Sequence, residues 1–254
     1  MKVAAIQHDI CWEAPLKTVA HVGPMIAGAV AAGARLVVLT EMFSTGFTMA
    51  SERVAEAPDG RSSSFLAEQA ARHGVWVAAS VPTADPSLPR PVNRLVVAGP
   101  HGERHRYDKI HPFSYAGEHE HYAAGTSFLT FAIDGLRVSG FVCYDLRFAD
   151  EWWAVAPATD CYVVVANWPA VRRHHWRSLL VARAIENQAY VVGVNRVGVD
   201  GSALEYVGDS MIVDPMGEVL ASAAGGETIL LADVEPGVVA SVRQRFPFMA
   251  DRRS

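Results

Sequence analysis

Short apolar, β-branched runs alternate along this chain with longer segments whose apolar positions recur every three or four residues, the signature of strands punctuated by amphipathic helices. Residues 3–6 predict a first strand and 35–39 a second. The Ala-rich stretch 15–32 between them predicts a crossover helix. Residues 62–73 predict the next helix, with Ser62, Ser63 and Ser64 as candidate N-caps and Gly74 as its stop. Further strands are expected at 75–81, 94–98 and 138–142. A helix follows at 148–156, then a strand at 162–166, a helix at 172–188 and a strand at 190–195. Residues 208–213 predict a strand that ends in the turn Asp214-Pro215-Met216-Gly217, and 228–234 a late strand. A β-α-β order early and again late, with hairpin-like pairs between, predicts a layered α/β sandwich. No tandem repeat, linker or charge block interrupts the chain, so a single domain over 1–254 is expected.

Composition narrows the function classes. At 254 residues and 50% hydrophobic content the chain can bury a large core. A net charge of −5, with both signs interspersed, argues against a nucleic-acid or anionic-membrane surface. The opening Met1-Lys2-Val3-Ala4-Ala5-Ile6 carries one basic residue and too short an apolar run for a signal peptide, and the blandest segment, 25–34, is far shorter than a membrane span. Cys11, Cys143 and Cys161 are odd in number and form no CxxC pair. A reduced, cytoplasmic setting without disulfides or structural zinc is the expectation.

Candidate chemistry concentrates in three places. In Gly140-Phe141-Val142-Cys143-Tyr144-Asp145-Leu146-Arg147-Phe148 an apolar run ends in a thiol and a charged turn begins at once, placing a nucleophile beside free backbone N–H groups that could cradle an oxyanion. Glu41 follows the apolar run 35–40, where strand C-termini collect ligands, and Lys109 lies in Tyr107-Asp108-Lys109-Ile110-His111. Taken singly, each has a plainer reading: an inert core cysteine, a surface or capping carboxylate, a solvated lysine. Cys161 opens a β-branched run and reads as packing; Cys11, in a polar loop, has no evident role. His119 and His121, flanked by Glu118 and Glu120, with His174 and His175 further on, could suggest zinc or iron. No third-ligand spacing accompanies them, and no metal is expected.

Together the three blocks resemble the nitrilase (carbon–nitrogen hydrolase) superfamily, whose signature is a Glu, a Lys and a Cys in that chain order. Asn167-Trp168-Pro169 is similar to the family's pocket wall, residues 176–196 to its helix-plus-strand, and Gly208-Asp209-Ser210 also matches, so the resemblance runs from residue 3 to about 234. It implies a four-layer α-β-β-α sandwich. Cys143 would be the nucleophile, Glu41 the base that takes and returns its proton, and Lys109 with the Tyr144 N–H the oxyanion donors. Glu118, seven residues before Gly125, would be a fourth catalytic member, with Glu120 as its competitor. Neither cofactor nor metal is implied. Arg183, Glu186 and Asn187 would tie the helix to neighbouring layers.

Within the family the motifs look most like the bacterial ω-amidase branch, which implies release of ammonia from short ω-amides of dicarboxylates such as 2-oxoglutaramate or succinamate, through a thioester. The distal carboxylate needs a cationic receptor. Arg172, Arg173 and Arg147 are candidates, although a structural ion pair behind the turn is the preferred reading of Arg147. Phe43, Phe113, Tyr115 and Trp168 are expected to narrow the pocket. An N-carbamoyl amidohydrolase is the alternative, disfavoured because Leu146 stands where a second arginine would be expected. A catalytically silent protein of the same fold is disfavoured by the intact Glu41, Lys109 and Cys143. A homodimer or larger homo-oligomer is expected. The apolar stretch 246–249 would pack on a partner or fold back on its own chain.

Overall fold

A computed structural model describes residues 1–253. Strands β1 (Lys2–Gln7), β2 (Leu36–Val38), β3 (Trp76–Thr83) and β4 (Val92–Ala98) are buried along both faces, and residue parity sorts their side chains into two cores. Val3, Ala5, Leu36, Val38, Ala78, Leu95 and Val97 enter one core; Ala4, Ile6, Val37, Val77, Ala79 and Val96 enter the other. The second core lies beneath helices α1 (Pro15–Ala31) and α3 (Arg61–His73), with the short α2 (Ser51–Val54) between them in sequence. The first core is shared with a second sheet. This double burial explains why these strands read as continuous apolar runs.

Strand β5 (Arg104–Asp108), helix α4 (Glu118–His121), strands β6 (Thr130–Ile133) and β7 (Leu136–Val142), helix α5 (Ala149–Val155), strand β8 (Cys161–Ala166), helix α6 (Arg173–Asn187) and strand β9 (Tyr190–Asn195) follow. The chain continues through β10 (Val197–Val199), β11 (Glu205–Val213), β12 (Val219–Ala224), β13 (Thr228–Asp233) and helix α7 (Pro236–Arg245). One sheet runs β13-β1-β2-β3-β4-β5 and the other β10-β11-β9-β8-β7-β6, with β12 pairing on β11. In each sheet three strands run parallel, β1-β2-β3 and β7-β8-β9, crossed over by α1 and α3 in one half and by α5 and α6 in the other. The sheets pack face to face: a Cβ at Gly140 on β7 would fall 2.3 Å from Leu95 Cδ2 on β4. The result is the expected four-layer α-β-β-α sandwich, and the C-terminal ends of β2, β7 and β8 meet at one edge of the interface.

Several local expectations are corrected. The serines do not cap α3: its N-cap is Gly60, and Glu56 reaches in from the preceding loop to accept the Ser62 N–H at 2.6 Å and the Ser62 hydroxyl at 2.8 Å. Gly74 does close that helix, in the left-handed conformation at φ +66°. Strands β5, β6, β10 and β12 and helix α7 were not foreseen, because edge elements bury too few side chains to show a period; β5 buries only Tyr107. The C-terminal segment folds back on its own chain. Arg243 donates to the carbonyls of Ala156, Thr159 and Asn187, and Arg252 to Glu186 O and Asn187 Oδ1 while lying over the Trp153 ring. Among the described residues no helix is long and apolar enough to cross a membrane.

Candidate active site

Glu41 lies three residues beyond β2, held inward by a kink: Met42 sits at φ +40° and its N–H donates to Ser80 Oγ at 2.7 Å. Lys109 directly follows β5 and is pinned on both sides, its N–H on Asn93 O at 3.0 Å and its carbonyl accepting the Gly125 N–H at 2.8 Å. That second contact explains the glycine. A Cβ at 125 would stand 2.0 Å from the Asp108 carbonyl oxygen, so only glycine lets the loop close on the strand end that presents the lysine. Glu118 opens α4 at the start of that loop and turns inward.

These three side chains form one buried charge cluster. Lys109 Nζ lies 3.0 Å from Glu41 Oε1 and 2.8 and 3.1 Å from the two oxygens of Glu118, with the lysine 1% exposed and both carboxylates 0%. Asn93 Nδ2 bridges the carboxylates, at 2.8 Å to Glu41 and 3.2 Å to Glu118. Glu41 Oε2 accepts the Asn167 N–H at 2.7 Å, and Glu118 Oε2 that of Phe113 at 2.5 Å. Burial works against the lysine's charge, but Glu118 and then Glu41 outweigh it and hold Lys109 protonated well above its ordinary range. Burial also lifts Glu118, with Lys109 opposing and Glu41 adding to the rise. The structure separates the two acidic candidates: Glu118 is in the cluster, whereas Glu120 is exposed on the surface near His119.

Cys143 begins a five-residue 3-10 turn, Cys143–Arg147, at φ +46°, a strained angle for a non-glycine residue of the kind stored at functional turns. The turn is over-determined. Asp145, fully buried, accepts from the Tyr107 hydroxyl (2.8 Å), the Val142 N–H (3.1 Å) and the His111 N–H (2.9 Å), and Arg183 from α6 donates twice to Leu146 O. Within a 3-10 turn the first two N–H groups have no partner in the turn, which leaves that of Tyr144 available. Burial and then the Glu41 charge push the Cys143 thiol well above its usual range, and Lys109 pulls it back. The resting sulfur is therefore protonated and sits beside a carboxylate able to take its proton.

A pocket of about 470 Å³ opens over Cys143. Phe113, Trp168 and Arg172 line it, as expected, with Arg172 set over the Phe113 ring. Two expected wall residues are elsewhere. Phe43 stacks on Phe65 in the core under α3, because the kink at Met42 turns it away; Tyr115 is 85% exposed beyond Phe113. Phe47, Leu204 and Tyr206 line the pocket instead, the last two from a hairpin carrying no recognisable motif. Arg173 is tied to Asp209 by two bonds of 2.8 Å. Arg147 makes no ion pair among the described residues, contrary to its preferred reading: it lies over Trp168 and meets His175 Nδ1 at 3.1 Å, in the pocket wall. Cys161 is buried in the core and Cys11 exposed. Asn93, which bridges the carboxylates, sits in no local pattern that signals chemistry; Asn167 lies in the expected pocket-wall motif, but its contact with Glu41 is not legible there.

A carbon–nitrogen hydrolase family model matches residues 2–244. Omega-amidase YafV of Escherichia coli is 37% identical over 252 residues, covering 99% of this chain and 96% of that protein. The 2-oxoglutaramate amidase of Bacillus subtilis is 37% identical over 225 residues, covering 87% and 85%. Among solved structures, XC1258 from Xanthomonas campestris, described as a CN-hydrolase superfamily protein with an arsenic adduct in its active site, superposes with a TM-score of 0.94 at 35% identity, over 100% of this chain and 97% of that one.

Proposed function

The chain belongs to the carbon–nitrogen hydrolase family and hydrolyses amide C–N bonds; from that premise we propose that it is a cysteine-dependent ω-amidase acting on short amides that carry a distal carboxylate. The observation that carries the mechanism is the buried Glu41–Lys109–Glu118 cluster with the Cys143 thiol beside it at the pocket. Glu41 takes the Sγ proton as the sulfur attacks the amide carbon. The oxygen, now anionic, is met by the Lys109 ammonium and the Tyr144 N–H, donors already oriented before reaction. Glu41 then returns the proton to the amide nitrogen, the C–N bond breaks, and ammonia leaves a thioester on Cys143. Water attacks that thioester, gives a proton to Glu41, and the thiol regains it as the acid departs. Glu118 keeps the lysine aimed and charged.

The substrate assignment rests on the pocket's cations. Arg172 and Arg147 both line it, and neither has a carboxylate partner among the described residues, whereas Arg173 is occupied by Asp209. Two unpaired guanidinium groups over aromatic faces suit a carboxylate at the far end of a short chain. The names of the two relatives point to the same class, with 2-oxoglutaramate or succinamate as the expected substrates. The test compares kcat/KM for succinamate and 2-oxoglutaramate with that for the uncharged butyramide, in wild type and Arg172→Met. The carboxylated amides should lead in wild type, and their KM alone should rise in the variant. Preference for N-carbamoyl amino acids over both ω-amides would replace this assignment with the carbamoyl one.

A further inference from the structure

Arg147 ends the turn that begins at Cys143 and lines the pocket, its guanidinium carbon 4.8 Å from the centre of the Trp168 ring. A planar cation stacked on an indole keeps its distance from that ring but is free to slide and turn within its own plane. One in-plane hydrogen bond removes that freedom: Nη2 lies 3.1 Å from Nδ1 of His175. Arginine has no acceptor, so Nδ1 accepts, the ring proton sits on Nε2 and the imidazole is neutral in this contact. His175 occupies the first turn of α6. The next residue, Trp176, is fully buried and donates to Asp209 O at 2.8 Å, which anchors that turn. The other nitrogens of Arg147, Nε and Nη1, have no hydrogen-bond partner among the described residues, and neither is sealed from solvent.

We propose that His175 is a positioning residue for substrate selection: it fixes the in-plane direction of Arg147, so that Nε and Nη1 stay open for the distal carboxylate of the substrate. The inference rests on the ω-amidase reading above and adds to it the group that sets one of its two cations. The chemistry of the acceptor matters. A carboxylate in its place would hold the arginine as firmly but would also neutralise it, as Asp209 does Arg173. A neutral imidazole orients the guanidinium and leaves its charge for the incoming anion. The other pocket cation is tied to the same indole, since Trp168 Nε1 donates to the Arg172 carbonyl at 2.9 Å. An arginine held before binding loses less freedom when the carboxylate arrives, and that gain is read in KM.

The experiment compares kcat and KM for succinamate and for the uncharged butyramide in wild type, His175→Ala and His175→Asn. Asparagine sets its Oδ1 close to the place of the imidazole Nδ1, so it keeps the acceptor without the ring. The ratio of kcat/KM for succinamate to that for butyramide should fall about fivefold in His175→Ala, the size of one partly exposed hydrogen bond. The fall should come through the KM of succinamate, and the ratio should recover in His175→Asn. A ratio that stays at the wild-type value in His175→Ala, even if turnover of both amides drops, would overturn the proposal and leave His175 only as a support for the start of α6. A ratio that falls as far in His175→Asn would overturn it too. If wild type itself shows no preference for succinamate over butyramide, the ω-amidase reading fails and this proposal with it.

Discussion

Replacing Lys109 with methionine keeps a side chain of similar length and removes the charge that two buried carboxylates share. In the wild type one ammonium lies 2.8–3.1 Å from three carboxylate oxygens, in a cluster sealed from water. Without it, Glu41 and Glu118 would be two buried negative charges bridged only by Asn93, so one of them must take up a proton on folding. Protonating an ordinary carboxyl, with a pKa of about 4.3, costs about 4 kcal/mol at pH 7.5. That agrees with the 3–5 kcal/mol typical of breaking a buried pair. Because the folded variant then binds one proton more than the unfolded chain, its stability rises as pH falls, by about 1.4 kcal/mol per unit. Urea denaturation of both proteins should give a deficit of about 4 kcal/mol at pH 7.5 that shrinks to about 2 kcal/mol at pH 5.5. Turnover should fall by about 10²–10³ for the lost oxyanion donor and should not recover at the lower pH. An equal deficit at both pH values would refute the reasoning, since the lysine would then not be neutralising buried carboxylates.

Other parts of the chain give independent checks. Glu56→Ala removes the acceptor at the start of α3 and should lower stability by about 1 kcal/mol in urea melts while kcat on succinamate stays unchanged. Gly125→Ala drives a Cβ into the Asp108 carbonyl, so it should both destabilise the fold by about 1–3 kcal/mol and reduce activity through displacement of Lys109; a fully active variant would contradict the role given to that glycine. His8 is buried, and burial lowers its pKa to about 4. Its stabilising contribution is therefore complete above pH 6.5 and lost as pH falls toward 4, about 3 kcal/mol in all, so the acid limb of a stability–pH curve should be shallower in His8→Asn.

The inner strands were readable because each is buried on two faces, as in the unbroken apolar run of β8, and the proposed nucleophile was readable because such a run stops at Cys143. Glu118 could be found by its distance from Gly125, and the close approach of that glycine to Asp108 shows why the spacing has meaning. What stayed hidden depends on contacts between distant elements. Asn93 on β4 and Asn167 after β8 converge on Glu41 from positions 52 and 126 residues away; no local pattern marks Asn93, and the pocket-wall motif around Asn167 does not announce its bond to Glu41. Arg172 and Arg173 are adjacent and alike, yet one lines the pocket and the other binds Asp209, because a helix begins between them. Phe43, expected in the pocket wall, turns into the core at the backbone kink at Met42, which the residue's identity does not announce, and Phe47 lines the pocket instead.

The most direct measurement is intact mass after acid quench during turnover of succinamate, on wild type and Cys143→Ala together, with ammonia release followed in parallel. Wild type should release ammonia and show a fraction of chains heavier by one succinyl group, mapped by peptide digestion to Cys143; the variant, folded by circular dichroism, should show neither. Ammonia release that survives in Cys143→Ala, or an acyl group carried on Cys11 or Cys161 instead, would contradict the cysteine mechanism.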